Sequence, residues 1–377
     1  MQPPTSTPRR ALLGAAAALA AAAAFRRPAR PAPAAADAAG PSADAAGVSA
    51  GTHPYAGAGA ALRHPGLVLP QLPHLLLLAY DTPGAAAELR EVCERWSAVL
   101  DRERTALTAT LGIGPAAAGR LGLVTPVPFA DLPPLPGDRL DPALGGGDVL
   151  LQLTGACAQR LDALAAALEV PGLVPRWRRH GYVPAGPAGQ TPRNLFGFKD
   201  GSANPGPAEG QWIWLPSGPC AGGSFLVHRR IAMDTTAFAA LPPERQEAVV
   251  GRRRTDGSPL GGTREHEDPD LYAKTPEGRY LIPATAHIRL TNSRLDGGAR
   301  MLRRGYTYTD GPGEQGLLFC AYLRDPALFV RVQERLAQRD ALTPFVEHRA
   351  SGVYYLPPPG PPGTALGASL FGPARYL

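Results

Sequence analysis

Twice along this chain a short, continuously apolar run is followed by a segment with apolar residues at helical spacing and then by another apolar run. That rhythm limits the fold more than any single motif does. In the first half, residues 73–81 (PHLLLLAYD) read as a buried strand, and residues 84–101 carry Leu89, Val92, Cys93, Trp96, Val99 and Leu100 at intervals that place them on one helix face. Residues 148–154 (DVLLQLT) give another strand, Leu161, Leu164, Ala165 and Leu168 a second amphipathic helix, and residues 173–183 a closing strand. The second half repeats the pattern with strands at 212–215 and 224–233 and a helix opened by Pro242-Pro243 that runs to Val250. Strands at 303–309 and 316–323, a helix started by Asp325-Pro326 and a last strand at 352–356 complete it. Helices that interrupt runs of antiparallel strand predict an α+β fold with helices packed on one face of each sheet. The 44 glycines and 43 prolines, spread along 377 residues, exclude long coiled coils.

The N-terminus carries an address. Arg9-Arg10 precede fifteen apolar or small residues, 11–25, and Arg26-Arg27 and an Ala/Pro-rich stretch follow. That order is an export signal, too short and too weakly apolar for a membrane span. The twin arginines resemble a twin-arginine (Tat) signal, with Pro8 standing where Ser or Thr is usual. Residues 1–36 are therefore expected to be a signal peptide and residues 37–66 a flexible leader, and the protein is expected to leave the cytoplasm already folded. The formal charge of +6 owes five units to the arginines of residues 1–36, so the body is nearly neutral and makes no electrostatic case for nucleic acid. Cys93, Cys157, Cys220 and Cys320 lie far apart with no paired ligand spacing, which disfavours a zinc site or covalent haem and favours buried thiols. No glycine-rich nucleotide loop is present.

Three segments hold residue types that packing alone explains poorly. In residues 194–205 (NLFGFKDGSANP), Asp200 sits between glycines and aromatics, so that Phe196 and Phe198 are expected to wall a carboxylate; the same pattern also makes a plain Asp-Gly turn. His287, in residues 284–294 (ATAHIRLTNSR), is enclosed by small and apolar residues and is either a metal or haem ligand or a hydrogen-bonded core histidine. Arg303 and Arg304 enter a strand side by side and point to opposite faces, one expected buried and one exposed, unless both lie at a sheet edge. His266, among acids, reads as part of a solvated loop.

Taken in order, GFKDG, VGRRRTDGSPLGG (residues 250–262), AHIRLTNSR, MLRRGYTY and GLLFCAYLRDP resemble the dye-decolourising peroxidase family in its Tat-exported bacterial branch, over residues 72–372. The stretch TALGASLFG (364–372) departs from that family in lacking an aromatic pair. The resemblance implies two ferredoxin-like α+β domains, residues 67–190 and 191–377, the second holding one haem b. It implies His287 as the proximal iron ligand, Asp200 as the distal acid and base, Arg303 as the distal charge stabiliser, Gly201, Leu317 and Phe319 beside the haem, and Arg289 on a haem propionate. Hydrogen peroxide and organic, dye-like or phenolic, electron donors would be the partners, with the Tat machinery in export and an iron-uptake partner or a second copy of the chain left open. Trp177, Trp212, Trp214, Tyr306 and Tyr308 are candidate electron relays. Iron release from haem, as a deferrochelatase, and non-catalytic haem carriage are the competing functions.

Overall fold

The computed structural model describes residues 63–372, apart from 83, 85, 104–106, 188, 312 and 362; the expected signal peptide lies outside the described residues, as does most of the leader. Eight strands carry the architecture: β1 His74–Asp81, β2 Leu107–Ile113, β3 Val149–Gly155, β4 Val174–Tyr182, β5 Ser224–Met233, β6 Leu302–Gly311, β7 Glu314–Leu323 and β8 Val346–Leu356. Between them run helices α1 Pro65–Val68, α2 Ala86–Leu100, α3 Pro115–Arg120, α4 Ala158–Ala167, α5 Thr235–Ala239, α6 Pro243–Val250, α7 His287–Leu290 and α8 Ala327–Arg339.

Each half pairs its strands antiparallel in the same spatial order. The first half runs β4-β1-β3-β2 and the second β6-β7-β5-β8, the mirror listing of first strand beside third and fourth that defines a ferredoxin-like sheet. Two single-pair contacts, Ile113 with Tyr355 and Tyr182 with Thr307, join the halves into one closed sheet. The two expected domains thus share a barrel.

Closure buries both faces of most strands, which is why they read as continuous apolar runs rather than alternating ones. On the outside of the first half, Leu76, Leu78, Leu111, Leu151 and Leu153 pack against Trp96 of α2 and Leu161 of α4. Trp96 is fully buried and its Nε1–H donates to the Leu168 carbonyl at 2.8 Å, so truncation to Ala should cost about 3–5 kcal/mol. The alternate residues Leu75, Leu77 and Leu150 meet Leu226, Tyr306, Tyr308, Leu318 and Tyr322 in a second cluster shared by both halves. Several polar groups in that layer are partnered: Tyr322 Oη donates to Gln152 Oε1 at 2.7 Å, and Tyr354 Oη and Trp177 Nε1 both donate to the Gly146 carbonyl, whereas the buried Tyr308 Oη and Trp214 Nε1 have no hydrogen-bond partner among the described residues.

Several expectations need correction. Residues 212–215 are not a strand: a 3₁₀ turn spans Pro207–Trp212, and both Ile213 and Trp214 bond back to the Gly210 carbonyl, so Ile213, Trp214 and Leu215 are buried in succession instead of alternately. A strand that the apolar runs do not mark, β2, lies between α2 and α3. The leader expected to reach residue 66 ends earlier, because His64 is 3 % exposed and α1 begins at Pro65. Neither strand arginine is exposed: Arg304 points into the barrel and donates to the Leu67 and Leu69 carbonyls, while Arg303 lies half-buried on the opposite face. The four cysteines are free thiols, but only Cys93, Cys220 and Cys320 are buried as expected; Cys157 is half-buried.

His228 sets an acid limit. It is wholly buried, stacked on Trp177 at 5.5 Å, and burial pushes its pKa down to about 3 against the usual 6.5. Between those values the unfolded chain binds a proton that the native chain refuses, so stability is complete above about pH 6.5 and falls as pH drops toward 3. Urea unfolding at pH 7 and pH 4.5 should show this loss, and a His228→Asn protein should show a smaller difference between the two pH values.

Candidate functional site

The outer face of the second sheet is built by alternation. Arg303, Gly305 and Thr307 share one face of β6, and their register partners on β7, Ala321, Phe319 and Leu317, share it with them. Gly305 is the low point of this face. A Cβ there would come within 3.0 Å of Asp200 Oδ2 and 3.0 Å of Leu317 Cδ1, so the absence of a side chain lets the carboxylate descend onto the strand.

Asp200 arrives on a loop that is fastened along its length. Its N–H donates to the Pro192 carbonyl, Asn194 Oδ1 accepts from the N–H groups of Phe196 and Phe198, and Arg193 donates to the carbonyls of Gly197, Arg254 and Thr255. Phe196 and Phe198 do not wall the carboxylate as expected. They pack on Phe238, with ring centroids 4.3 and 6.2 Å away, and anchor the loop from beneath. Lys199 pairs with Glu265, which also accepts from Ser202. Burial pushes the Glu265 carboxyl up, but hydrogen bonds from Lys199, Thr191 and Ser202 outweigh it and hold the pKa below the ordinary value. His266 is exposed, as a solvated loop requires.

Asp200, Gly201, Arg303 and Leu317 line one opening, together with Gln71 and Arg193. Burial lowers the Arg303 pKa, and the negative charge of Asp200 opposes that shift. The two attract each other across the opening without closing into an ion pair. An acid and a guanidinium held apart in this way present an acceptor and a cation to one small polar molecule.

His287 and Phe319 are not among the residues lining that opening. His287 heads α7, where Thr291 and Leu290 close helical turns back to His287 and Ala286. Its Nδ1 lies 2.7 Å from Oδ2 of Asp340, whose side chain is 4 % exposed and whose Oδ1 accepts from Leu342 N–H. That bond assigns the ring proton to Nδ1 and leaves the Nε2 lone pair for a metal. Among the described residues no group of three or more His, Cys, Asp or Glu is placed to hold a bare metal ion. Arg289 serves the main chain: Nε and Nη2 donate to the carbonyls of Leu271, Ile282 and Pro283, and the guanidinium stacks on Tyr280 at 4.5 Å. Those bonds hold one edge of the guanidinium, Nε and Nη2, against that loop.

Sequence reasoning missed Asp340, Gln71 and the roles of Asn204 and Gly305. Asp340 lies 53 residues from His287 and Gln71 lies 234 residues from Gly305, whose carbonyl it binds, so neither leaves a local signal. A Gly305→Ala change should lift the Asp200 carboxylate off β6 by a few tenths of an ångström, which a crystal structure of the variant would register.

Family models match most of the folded chain: residues 82–180 match the N-terminal model of Dyp-type peroxidase and residues 191–360 the C-terminal one. The dye-decolorizing peroxidase of Thermobifida fusca is 37 % identical over 286 residues, and the deferrochelatase of Yersinia pestis is 38 % identical over 282. Each match takes in 67 % of this chain and spans 64 % of the relative's length. Among solved structures, ferric DtpA of Streptomyces lividans superposes with a TM-score of 0.78 at 32 % identity, covering 83 % of this chain and 96 % of that one. The DyP-type peroxidase of Streptomyces coelicolor gives the same TM-score and the same coverage at 31 % identity. With both halves matched in order and the ferredoxin-like sheets in place, the chain belongs to the Dyp-type peroxidase family.

Proposed function

We propose that this protein is a haem b-dependent peroxidase that reduces hydrogen peroxide and oxidises organic donors of dye-like or phenolic type. The observation that carries the reading is the convergence of Asp200 and Arg303 on one opening over Gly305. The surroundings fit the cofactor: Leu317 and Phe319 are apolar yet only half-buried in a central strand, and His287 has a free Nε2 backed by Asp340. Haem supplies the iron redox chemistry when bound.

The side chains then divide the work. His287, whose Nδ1–H bond to Asp340 leaves Nε2 as the acceptor nitrogen, would hold the iron, and Leu317 and Phe319 would supply apolar contacts to the cofactor. Asp200 accepts a proton from one peroxide oxygen and delivers it to the other, directly or through a water. Arg303 holds the peroxide anion and stabilises charge on the departing oxygen with donors already fixed in place. The opening is small, so bulky donors would give up electrons at the surface; Trp177, Trp214, Tyr306 and Tyr308 are buried and Trp212 is half-buried. The twin-arginine start of residues 1–36 supports export by the Tat route to the cell envelope or beyond, and no helix among the described residues is long and apolar enough to cross a membrane.

The matches to proteins named deferrochelatase favour a second reading, iron release from haem at the same site. Incubation with haem followed by porphyrin fluorescence separates the two: free protoporphyrin without peroxide turnover supports iron release, and peroxide turnover without porphyrin supports the peroxidase. Asp200→Asn and Arg303→Leu should each lower kcat/KM for hydrogen peroxide by roughly 10²- to 10⁴-fold with haem content unchanged, as stopped-flow measurements would record. A haem carrier would be indifferent to both changes. His287→Ala should abolish the absorption spectrum of the imidazole-ligated ferric protein.

A further inference from the structure

β6 is hydrogen-bonded to β7 along one side, but on the other it meets β4 at a single residue pair, Tyr182 with Thr307. The peptide groups of Arg303 and Gly305 face that open side, and buried main-chain groups need partners. Two side-chain amides stand in for the missing strand. Asn204 Oδ1 accepts from the Arg303 N–H at 2.9 Å while its Nδ2 donates to the Arg303 carbonyl at 2.8 Å, and Gln71 Nε2 donates to the Gly305 carbonyl at 2.8 Å. An amide suits position 204 because it is both donor and acceptor on one short arm.

Asn204 also belongs to the loop that carries the carboxylate. It follows Asp200 by four residues, its N–H donates to the Gly201 carbonyl at 2.9 Å, and its Nδ2 lies 3.3 Å from where a Cβ on Gly201 would stand. Gly201 has φ +103°, so a side chain there would be strained as well as crowding that amide. The other fastenings of the loop, to Pro192, Glu265 and the carbonyls of Arg254 and Thr255, do not reach β6. One side chain therefore ties the acid's loop to the guanidinium's strand.

We propose that Asn204 is a positioning residue for peroxide reduction: by gripping both main-chain polar groups of Arg303 it sets the spacing between Asp200 and Arg303 at which a single peroxide molecule is held. This rests on the peroxidase reading above. Asn204 touches neither reacting atom and acts through the two residues it aligns.

Haem-loaded wild-type, Asn204→Ala and Asn204→Asp proteins test it. In Asn204→Ala, haem content, resting spectrum and Tm stay near wild type, kcat/KM for hydrogen peroxide falls roughly 10- to 100-fold, and KM for the organic donor is unchanged. Cyanide affinity of the ferric protein falls in parallel, since hydrogen cyanide also needs a carboxylate to take its proton and a guanidinium to hold the anion. The Arg303 amide exchanges its hydrogen faster. Asn204→Asp retains the acceptor but loses the donor, and its peroxide kinetics and cyanide affinity fall between the other two proteins. Wild-type peroxide kinetics and cyanide affinity in Asn204→Ala, with faster exchange at Arg303, would overturn the proposal and leave Asn204 a folding role. Should Asn204→Ala not fold, the same two wild-type values in Asn204→Asp would overturn it. An absence of peroxide turnover in the wild-type protein would instead overturn the peroxidase reading, and the proposal with it.

Discussion

A carboxylate and a guanidinium held near each other, and kept from collapsing into an ion pair, is the arrangement that the rest of this molecule has to maintain. Left to themselves, opposite charges in a poorly solvated site close up, because their attraction grows as solvent is excluded. Here each charge is tethered through its main chain rather than its side chain. Arg303 is fixed by the β6–β7 ladder and the Asn204 amide, and Asp200 by a loop whose fastenings run to Pro192, Phe238 and Glu265. The side-chain donors and acceptors are thus left available to a ligand. Removing a tether should harm chemistry before it harms folding.

Much of the fold was legible because closure of the barrel writes itself into the sequence. Strands buried on both faces must be apolar throughout, and PHLLLLAYD and GLLFCAYL are. The helices packed outside must be amphipathic, as Leu89, Val92, Cys93 and Trp96 of α2 are. Failures came where neither rule applies. Trp212 and Trp214 mimic strand alternation, but Gly210 lets the chain coil into a 3₁₀ turn that buries consecutive residues. The contacts that close the barrel, Ile113 with Tyr355 and Tyr182 with Thr307, join residues 242 and 125 positions apart and leave no local pattern.

The site divides along the same line. Asp200, His287 and Arg303 stand out from their neighbours because a charged or imidazole group amid glycines and apolar residues is costly without a purpose. Their supports do not stand out. Asp340 looks like an ordinary residue at the end of α8, and Asn204 like part of an Asx-Pro turn, yet one orients the imidazole and the other aligns the guanidinium. Arg289, two residues from His287, also braces a loop, its Nε and Nη2 donating to the carbonyls of Leu271, Ile282 and Pro283. Arginine is abundant in this chain, so proximity alone carries little information about which arginine is free.

The neighbouring pair Arg303 and Arg304 shows how one strand serves both structure and chemistry. Alternation sends them to opposite faces, so a one-residue slip of β6 would exchange their environments. Arg304 enters the barrel and binds the carbonyls of Leu67 and Leu69, linking β6 to the segment around α1. A slip would break those bonds and at the same time pull Gly305 from beneath Asp200 and the Arg303 peptide from Asn204. The register that sets the buried structural arginine's Nη2 on those carbonyls is therefore the register that presents the other one to the opening. Because both requirements sit on adjacent residues of one strand, the stability of the barrel and the geometry of the site cannot drift apart.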